Sequence, residues 1–222
     1  MAVNARAVLK RLFDLFLSTA GLVLLSPVFL VLGALVKLGD GGPIVFRQER
    51  IGQGGRVFSI LKFRSMVAGA ERLGPILTRD RDPRITRVGR FLRRTKLDEL
   101  PQLWNVFCGQ MSFVGPRPEV QCYVEKYTPA QRQVLALRPG ITDLATLEFR
   151  NEEELLGSAA DTERFYLEVC LPRKIELNLA YARRANLWTD LLIILCTVWA
   201  LAPGGYGHGV GRPAQPCRRL LQ

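Results

Sequence analysis

Two acidic residues stand side by side directly after a strongly basic stretch of the chain. Asp98 and Glu99 follow Arg93, Arg94 and Lys96. Neighbouring cations favour the ionised form of a carboxylate. An ionised aspartate is a competent nucleophile towards phosphorus, and an adjacent carboxylate can hold Mg²⁺ beside substrate phosphates. The pair is therefore a candidate for phosphoryl chemistry, with the arginines neutralising a diphosphate as its bond breaks.

The same residues also have a purely structural interpretation. Thr95 stands three residues before Asp98, a spacing that is typical of a capping box at the start of a helix. Pro101 in the first turns and Gly109 after the end fit such a helix. The spacing alone favours the cap over catalysis. A capping aspartate at the positive end of the helix dipole can nevertheless react, so the two interpretations are compatible.

Two further cations are candidates for phosphate binding. Arg117 lies between two prolines, which fix the backbone on both sides and present the guanidinium group from a stiff segment. An arginine that bonds to its own turn is an equally good interpretation. Lys62 lies at the end of a predicted strand near the basic stretch, although an isolated lysine is more often solvated.

The charge distribution points to an anionic partner. The formal net charge is +11, and residues 47–97 contain 14 lysines and arginines against four acidic residues. A field so localised favours phosphate, nucleic acid or acidic lipid. The single histidine, His208, lies in a glycine-rich tail, which argues strongly against a histidine-based triad or a histidine-rich metal site.

The N-terminal part of the chain contains a candidate membrane element. Residues 12–36 are largely apolar, and Asp14 is their only charged residue. A straight helix of this length would reach about 37 Å, enough to cross a hydrocarbon core of about 30 Å. Pro27, after Ser26, removes a backbone donor and predicts a kink. Basic residues flank both ends and favour the cytoplasmic side. We expect a re-entrant helix-break-helix, with a simple spanning helix as the alternative.

The remaining pattern predicts an α+β fold that is mainly helical. Residues 44–46 and 57–62 are rich in β-forming residues and predict a β-hairpin with a glycine-rich turn. Most later segments are predicted as short helices, including a core or interfacial helix at 187–201. The expected organisation is a membrane-associated hairpin at 1–40, a cytosolic domain with the β-hairpin and interfacial amphipathic helices at 41–202, and a disordered tail at 203–222.

Four long motifs occur in a fixed order in the first two thirds of the chain. They are "KRLFDLFLSTAGLVLLSPV", "LKFRSM", "DPRITRVGRFLRRTKLDELPQLWNV" and "MSFVGPRPE". Together they resemble the bacterial sugar transferase family, the monotopic phosphoglycosyl transferases. The similarity runs from about Lys10 to Thr142. Because several motifs agree in order, the resemblance is specific, and it reverses the preference for a simple cap at Asp98.

The resemblance implies an enzyme that transfers a sugar-1-phosphate from a UDP-sugar to a polyprenyl phosphate, usually undecaprenyl phosphate, and releases UMP. It implies Mg²⁺ as the cofactor and Glu99 as its ligand. Asp98 would be the nucleophile that forms a phosphosugar-aspartate intermediate. The family's phosphate-binding positions match Lys62, Arg93 and Arg117.

Further implications concern the location and partners of the protein. The helix break of the family matches Ser26 and Pro27 and supports the re-entrant hairpin. The resemblance implies the bacterial inner membrane, with the catalytic domain at 41–202 on the cytoplasmic face, contacts with membrane lipids and no nucleic acid. A homodimer is compatible with it. The expected pathway role is the start of glycoconjugate assembly, such as an O-antigen, a capsule, an exopolysaccharide or a glycoprotein glycan.

Two departures from the family concern the sugar. After "RPGIT" the chain continues with "DLATLEFRNEEELL", where many relatives have a "GWAQ"-like run, and Gln110 stands where an acidic residue is common. The identity of the sugar therefore stays open. Two rival hypotheses rest on the basic segment: a membrane-tethered nucleic-acid-binding protein, and a non-catalytic membrane scaffold for acidic partners.

Overall fold

The structure of the chain, a computed structural model, describes residues 2–75, 77–78 and 82–201, with side chains from residue 5 onward. The α-helices of this part are α1 (Ala2–Leu24), α2 (Ser26–Asp40), α3 (Arg87–Thr95), α4 (Gln102–Phe107), α5 (Gln121–Val124), α6 (Leu144–Glu148), α7 (Glu152–Ser158), α8 (Thr162–Phe165), α9 (Leu171–Arg184) and α10 (Leu187–Leu201). The strands are β1 (Val45–Ile51), β2 (Val57–Phe63), β3 (Ser112–Val114) and β4 (Gly140–Thr142). The predicted mainly helical α+β fold is confirmed. The tail predicted at 203–222 lies outside the described residues, and the domain boundaries stay a prediction.

The predicted β-hairpin is present. β1 and β2 pair in antiparallel fashion from Val45 opposite Phe63 to Ile51 opposite Val57. The turn between them contains Gly54, at φ 68°, a left-handed conformation that glycine adopts without a steric penalty. β1 is longer than expected, because the polar residues after position 46 continue the strand with alternating burial.

A second, parallel pair of strands was not predicted. β3 pairs with β4, with Ser112 opposite Gly140 and Val114 opposite Thr142. The Pro-Gly pair in "RPGIT" is a turn signal, yet the last three residues of this sequence form β4. Glycine is needed at position 140, since a Cβ there would lie 2.2 Å from the backbone nitrogen of Gly115. Each strand has only three residues, too few to give a periodic signal.

The predicted break in the N-terminal helix is confirmed. α1 and α2 meet at Leu25 with a bend of 62°. Pro27 lies in the first turn of α2, where its missing N–H costs little, and the Ser26 hydroxyl donates to the Val23 carbonyl oxygen at 2.8 Å. Among the described helices, none alone has both the length and the apolar character to cross a membrane, whereas residues 5–24 and 26–40 meet these criteria as a bent pair.

The N-terminal helix is anchored to the elements that follow the acidic pair. α1 packs along α4, and Arg11 donates to the carbonyl oxygens of Val106 and Phe107 at 2.6 and 2.7 Å. The buried carboxylate of Asp14 accepts the N–H of Phe113 in β3 at 3.1 Å. These polar bonds hold α1 beside the segment that carries the candidate chemistry.

Candidate active site

The acidic pair lies in a tight connection between two helices. α3 ends at Thr95, the next residue, Lys96, has a left-handed φ of 58°, and Leu97–Glu99 then form a 3₁₀ turn that leads into α4. The predicted cap at Thr95 is wrong, because Thr95 belongs to α3 and donates to the Phe91 carbonyl oxygen at 2.8 Å. A threonine hydroxyl in a helix often bonds back by one turn in this way.

Thr86, not Thr95, is the residue that caps a helix in this region. Its hydroxyl accepts the N–H of Gly89 at 2.9 Å at the start of α3. Gly89 lies against the preceding chain so closely that a Cβ would stand 1.8 Å from the Ser65 carbonyl oxygen. The cap and this close approach fix the position of the N-terminus of α3, the helix that carries Arg93.

Glu99 is held by two of the predicted cations. Arg117 donates to both Glu99 carboxylate oxygens, at 3.2 and 2.5 Å, and Lys62 donates to one of them at 3.1 Å. Burial alone would raise the pKa of Glu99, but the charges of Arg117 and Lys62 outweigh burial and hold that pKa well below its usual range. The structure therefore brings Lys62, Glu99 and Arg117 together around an ionised carboxylate.

Lys62 is largely buried, not solvated. Its side chain on β2 is 20% exposed. Burial lowers the pKa of Lys62, and the charge of Glu99 opposes that effect. An ammonium group in this position is stable because its partner is charged and close, so the interpretation of an isolated solvated lysine is wrong.

Asp98 differs from its neighbour. It is 6% exposed, and its Oδ1 atom has no hydrogen-bond partner among the described residues. Burial raises the pKa of Asp98, and the charge of Glu99 adds to the rise, while Lys62 opposes it. The neighbouring cations therefore lower the pKa of Glu99 but not that of Asp98, where desolvation dominates. A poorly solvated carboxylate is a stronger nucleophile once it is ionised.

A cavity of about 1280 Å³ opens beside these groups. Glu99, Arg93 and Arg117 form part of its wall, together with Lys96. The guanidinium group of Arg93 pairs with Glu153 of α7. The basic wall of the cavity can thus receive a phosphate group, and Arg93 and Arg117 border the same space.

Another part of the cavity wall is apolar and comes from α1, the break after it and α10. The residues of this part are Leu17, Gly21, Leu25, Ile194, Val198 and Leu201. The break at Ser26 and Pro27 therefore adjoins the cavity through Leu25. A ligand with both an anionic and an apolar part matches this lining.

Two residues of the site were not predicted from the sequence. Asp143 caps α6 and also accepts a hydrogen bond from the backbone of Arg117. Glu153 pairs with Arg93. A polar residue after a turn and before a short apolar run is the only local signal for the Asp143 cap. No local signal relates either residue to its partner, because each pair is far apart in the chain.

The acidic pair is compatible with Mg²⁺. Within the described residues there is no group of three or more histidine, cysteine, aspartate or glutamate side chains that could hold a metal ion. Mg²⁺ often uses only one or two carboxylates, with water and substrate phosphates as the other ligands. Glu99 and the unpartnered Oδ1 of Asp98 are adjacent carboxylates of this kind. The predicted use of Mg²⁺ stays a prediction.

Comparison with known protein families gives one consistent match. Residues 5–204 match the model of a family described as "Bacterial sugar transferase". Among curated proteins, the UDP-glucose:undecaprenyl-phosphate glucose-1-phosphate transferase of Klebsiella pneumoniae is 39% identical over 196 residues, which are 86% of this chain and 40% of that protein. A UDP-N-acetylgalactosamine-undecaprenyl-phosphate N-acetylgalactosaminephosphotransferase of Aeromonas hydrophila is 36% identical over 201 residues, 89% of this chain and 44% of that protein.

A shorter relative matches almost end to end. The exopolysaccharide production protein ExoY of Rhizobium meliloti is 36% identical over 214 residues, which are 89% of this chain and 88% of that protein. By contrast, the chain spans less than half the length of the two longer relatives. The names of those two relatives specify different sugars at nearly equal identity, so overall similarity does not select a donor.

Proposed function

The chain belongs to the bacterial sugar transferase family, and from this premise we propose that it transfers a sugar-1-phosphate from a UDP-sugar to a polyprenyl phosphate such as undecaprenyl phosphate. The observation that carries the proposal is the convergence of Lys62 and Arg117 on Glu99, next to a buried carboxylate at Asp98. Glu99 and Arg117 line a cavity with a basic part and an apolar part, which suits a substrate pair made of a nucleotide diphosphate and a lipid phosphate.

The first step is the formation of a covalent intermediate on Asp98. An oxygen of the ionised carboxylate attacks the phosphorus that carries the sugar. The bond from this phosphorus to the bridging oxygen breaks, and UMP leaves with that oxygen and the electron pair. Arg93 and Arg117, on the cavity wall, bind the phosphate oxygens and balance the charge that builds up on the leaving group.

The second step regenerates the carboxylate. An oxygen of the polyprenyl phosphate attacks the phosphorus of the intermediate, and the Asp98 carboxylate leaves. The product is a polyprenyl diphosphate sugar, the starting unit for a polysaccharide or another glycoconjugate. Mg²⁺, when bound by Glu99 and Asp98, would supply positive charge to the diphosphate. Lys62 keeps Glu99 ionised and in place in both steps.

The location that fits this reaction is the cytoplasmic face of the bacterial inner membrane. The bent α1–α2 pair enters and leaves one leaflet in this proposal, and its break at Ser26 and Pro27 is the bottom of the re-entrant turn. Support comes from the 62° bend and from the exposed apolar side chains of this pair, such as Phe16, Leu24 and Leu30. The lipid phosphate would then lie at the depth of the cavity.

The decisive experiment measures UMP release from a panel of UDP-sugars by the full chain in detergent or nanodiscs. We expect release that requires both polyprenyl phosphate and Mg²⁺ and that Asp98→Asn abolishes. The matched control is Asp161→Asn, at an exposed aspartate that caps α8. Mass analysis of enzyme mixed with donor alone should show a sugar-phosphate adduct on Asp98.

Other results would reject the proposal. Normal turnover by Asp98→Asn would exclude the nucleophile role, and no UMP from any UDP-sugar would exclude the reaction. Steeply salt-dependent DNA binding that is indifferent to Asp98 would favour a nucleic-acid-binding protein. Full function with substitutions at Asp98, Glu99 and Arg117 would favour a scaffold.

A further inference from the structure

The loop that presents Arg117 has a single backbone donor. Arg117 lies between Pro116 and Pro118, and proline has no N–H. The N–H of Arg117 is therefore the only one in the three-residue segment. It donates to the Oδ2 atom of Asp143 at 3.2 Å. The only backbone N–H of residues 116–118 is thus bonded to a carboxylate that lies 26 residues further along the chain.

Asp143 is a buried junction of three elements. Its side chain is 1% exposed. Oδ1 accepts the N–H of Thr146 at 2.5 Å and so caps α6, while Oδ2 also accepts the Nδ2 group of Asn178 from α9 at 2.9 Å. Three donors hold the carboxylate in one orientation. Because one of these donors is the N–H of Arg117, the carboxylate also restrains the backbone of the loop.

The carbonyl groups of the loop are held as well. The Pro116 carbonyl oxygen accepts the N–H of Gly140, at 3.0 Å, and the Pro118 carbonyl oxygen accepts a guanidinium N–H of Arg50, at 3.1 Å. The bond to Asp143 completes this set at Arg117 itself. From this backbone the Arg117 guanidinium reaches both oxygens of Glu99.

We propose that Asp143 is a positioning residue of the active site, which holds the backbone of Arg117 so that its guanidinium group meets Glu99 and the donor diphosphate. The catalytic consequence rests on the proposed function. Without Asp143 the N–H of Arg117 loses its acceptor, the loop gains freedom, and the fork-like contact with Glu99 is no longer fixed. Donor binding then weakens, since an unfixed arginine loses more entropy when it binds phosphate.

The test variant is Asp143→Ser in the full chain. Serine is a good helix cap and can keep the bond to Thr146, but it is too short to reach Arg117. Asn178→Ala removes the bond to α9 and leaves Arg117 with its acceptor. Asp161→Ser makes the same exchange at the exposed cap of α8, away from the cavity. These three variants separate the contact with Arg117 from the other contacts of Asp143.

The first measurement is hydrogen exchange by mass spectrometry on the segment around Arg117. Because the flanking prolines have no amide hydrogen, residues 116–118 report on Arg117 alone. We expect Asp143→Ser to reduce the protection of this amide at least tenfold. Asn178→Ala and Asp161→Ser should retain the protection. Unchanged protection in Asp143→Ser would overturn the proposal.

The second measurement is the steady-state kinetics of UMP release. In Asp143→Ser we expect a donor KM about 10- to 100-fold higher, as for other losses of a supporting contact around a ligand-binding group. The KM for polyprenyl phosphate should stay within about twofold. A mere loss of folded protein lowers the apparent kcat and leaves KM unchanged, so a normal donor KM would overturn the proposal. If the wild-type chain transfers nothing, the proposed function fails, and the exchange measurement still decides whether Asp143 holds Arg117.

Discussion

Glu153 forms an ion pair with the guanidinium group of Arg93, so that a carboxylate of α7 already neutralises one of the cations on the basic wall of the cavity. The Glu153 side chain is 46% exposed, and that of Arg93 is 23% exposed. An anionic ligand that approaches Arg93 must therefore compete with a neighbouring carboxylate that belongs to the protein itself.

We predict that Glu153→Gln lowers the donor KM. The substitution removes the competing charge but keeps the size of the side chain. Exposed ion pairs are worth about 0.2–1 kcal/mol, so the decrease in KM should be about 1.4-fold to fivefold. The control is Glu154→Gln, the same change one residue further on, at an exposed side chain that makes no ion pair with the described residues. An equal effect of both variants would point to general charge and not to the contact with Arg93.

The close approach of α3 to Ser65 gives a second prediction. Gly89→Ala should destabilise the protein by about 1–3 kcal/mol, because the new methyl group overlaps a backbone carbonyl that cannot move aside easily. Activity should fall as well, since α3 carries Arg93. Thermal unfolding in detergent measures the stability.

Gly39→Ala is the matched control for this substitution. Gly39 is also helical, in α2, but nothing lies within 4 Å of a Cβ at this position. Alanine there should leave the stability unchanged or raise it by up to about 1 kcal/mol. A Gly89→Ala variant that unfolds at the wild-type temperature would contradict the close approach.

A third prediction concerns the bend between α1 and α2. If the pair is re-entrant, cysteines introduced at Arg6 and Arg56, both exposed, should lie on the same side of the membrane. With the exposed Cys108 and Cys122 replaced by serine, an impermeant thiol reagent should label both positions in inside-out vesicles and neither in spheroplasts. Labelling of position 6 in spheroplasts would support a spanning helix.

The double variant Ser26→Ala/Pro27→Ala tests the cause of the bend. Alanine restores the backbone donor and removes the ring of the proline, so a straighter helix becomes accessible. We expect position 6 to become partly labelled in spheroplasts. Unchanged labelling would mean that packing against α4, and not Pro27, holds the bend.

The sequence was sufficient where the signal is local. The helix break follows from the chemistry of Pro27, and α10 follows from a mostly apolar segment of 15 residues that Asp190 interrupts. The β1–β2 hairpin follows from two β-rich runs around a glycine turn. In each case the residues that decide the structure are close together in the chain, so propensity and turn chemistry predict the element.

The errors arise where distant parts of the chain meet. Thr95 has the spacing of a cap for the next helix, but it is the last residue of α3, which ends before the left-handed Lys96. The β3–β4 pair joins segments that are 28 residues apart, without a periodic pattern. The raised pKa of Asp98 follows from burial, which depends on how the surrounding elements pack. The contact of Asp143 with Arg117 could not be predicted from the sequence either, since no local pattern near either residue indicates it.

The final prediction concerns the loop before α3 and its response to pH. Arg84 is buried and donates to the carbonyl oxygens of Ala70 and Pro75 at 3.1 and 3.0 Å, and its guanidinium group pairs with Asp82. The hydrogen bond from Arg84 lowers the pKa of Asp82 below its usual value of 3.8. A carboxyl group with a lowered pKa stabilises the folded state above its unfolded pKa and loses this contribution as the pH falls through the folded value.

Asp82→Asn should therefore destabilise the protein at neutral pH and lose its effect in acid. At pH 7 we expect a loss of about 1–3 kcal/mol, because a buried guanidinium group keeps its carbonyl partners but loses its charged one. Below about pH 3.8 the unfolding temperatures of variant and wild type should converge, since Asp82 is then increasingly protonated in the wild type too. The control is Glu71→Gln, at an exposed acidic residue of the same loop. Its unfolding temperature should stay close to that of the wild type at every pH. If the unfolding temperature of Asp82→Asn stays equally far below that of the wild type in acid, then the shape of the Asp82 side chain, and not its charge, holds Arg84 in the loop.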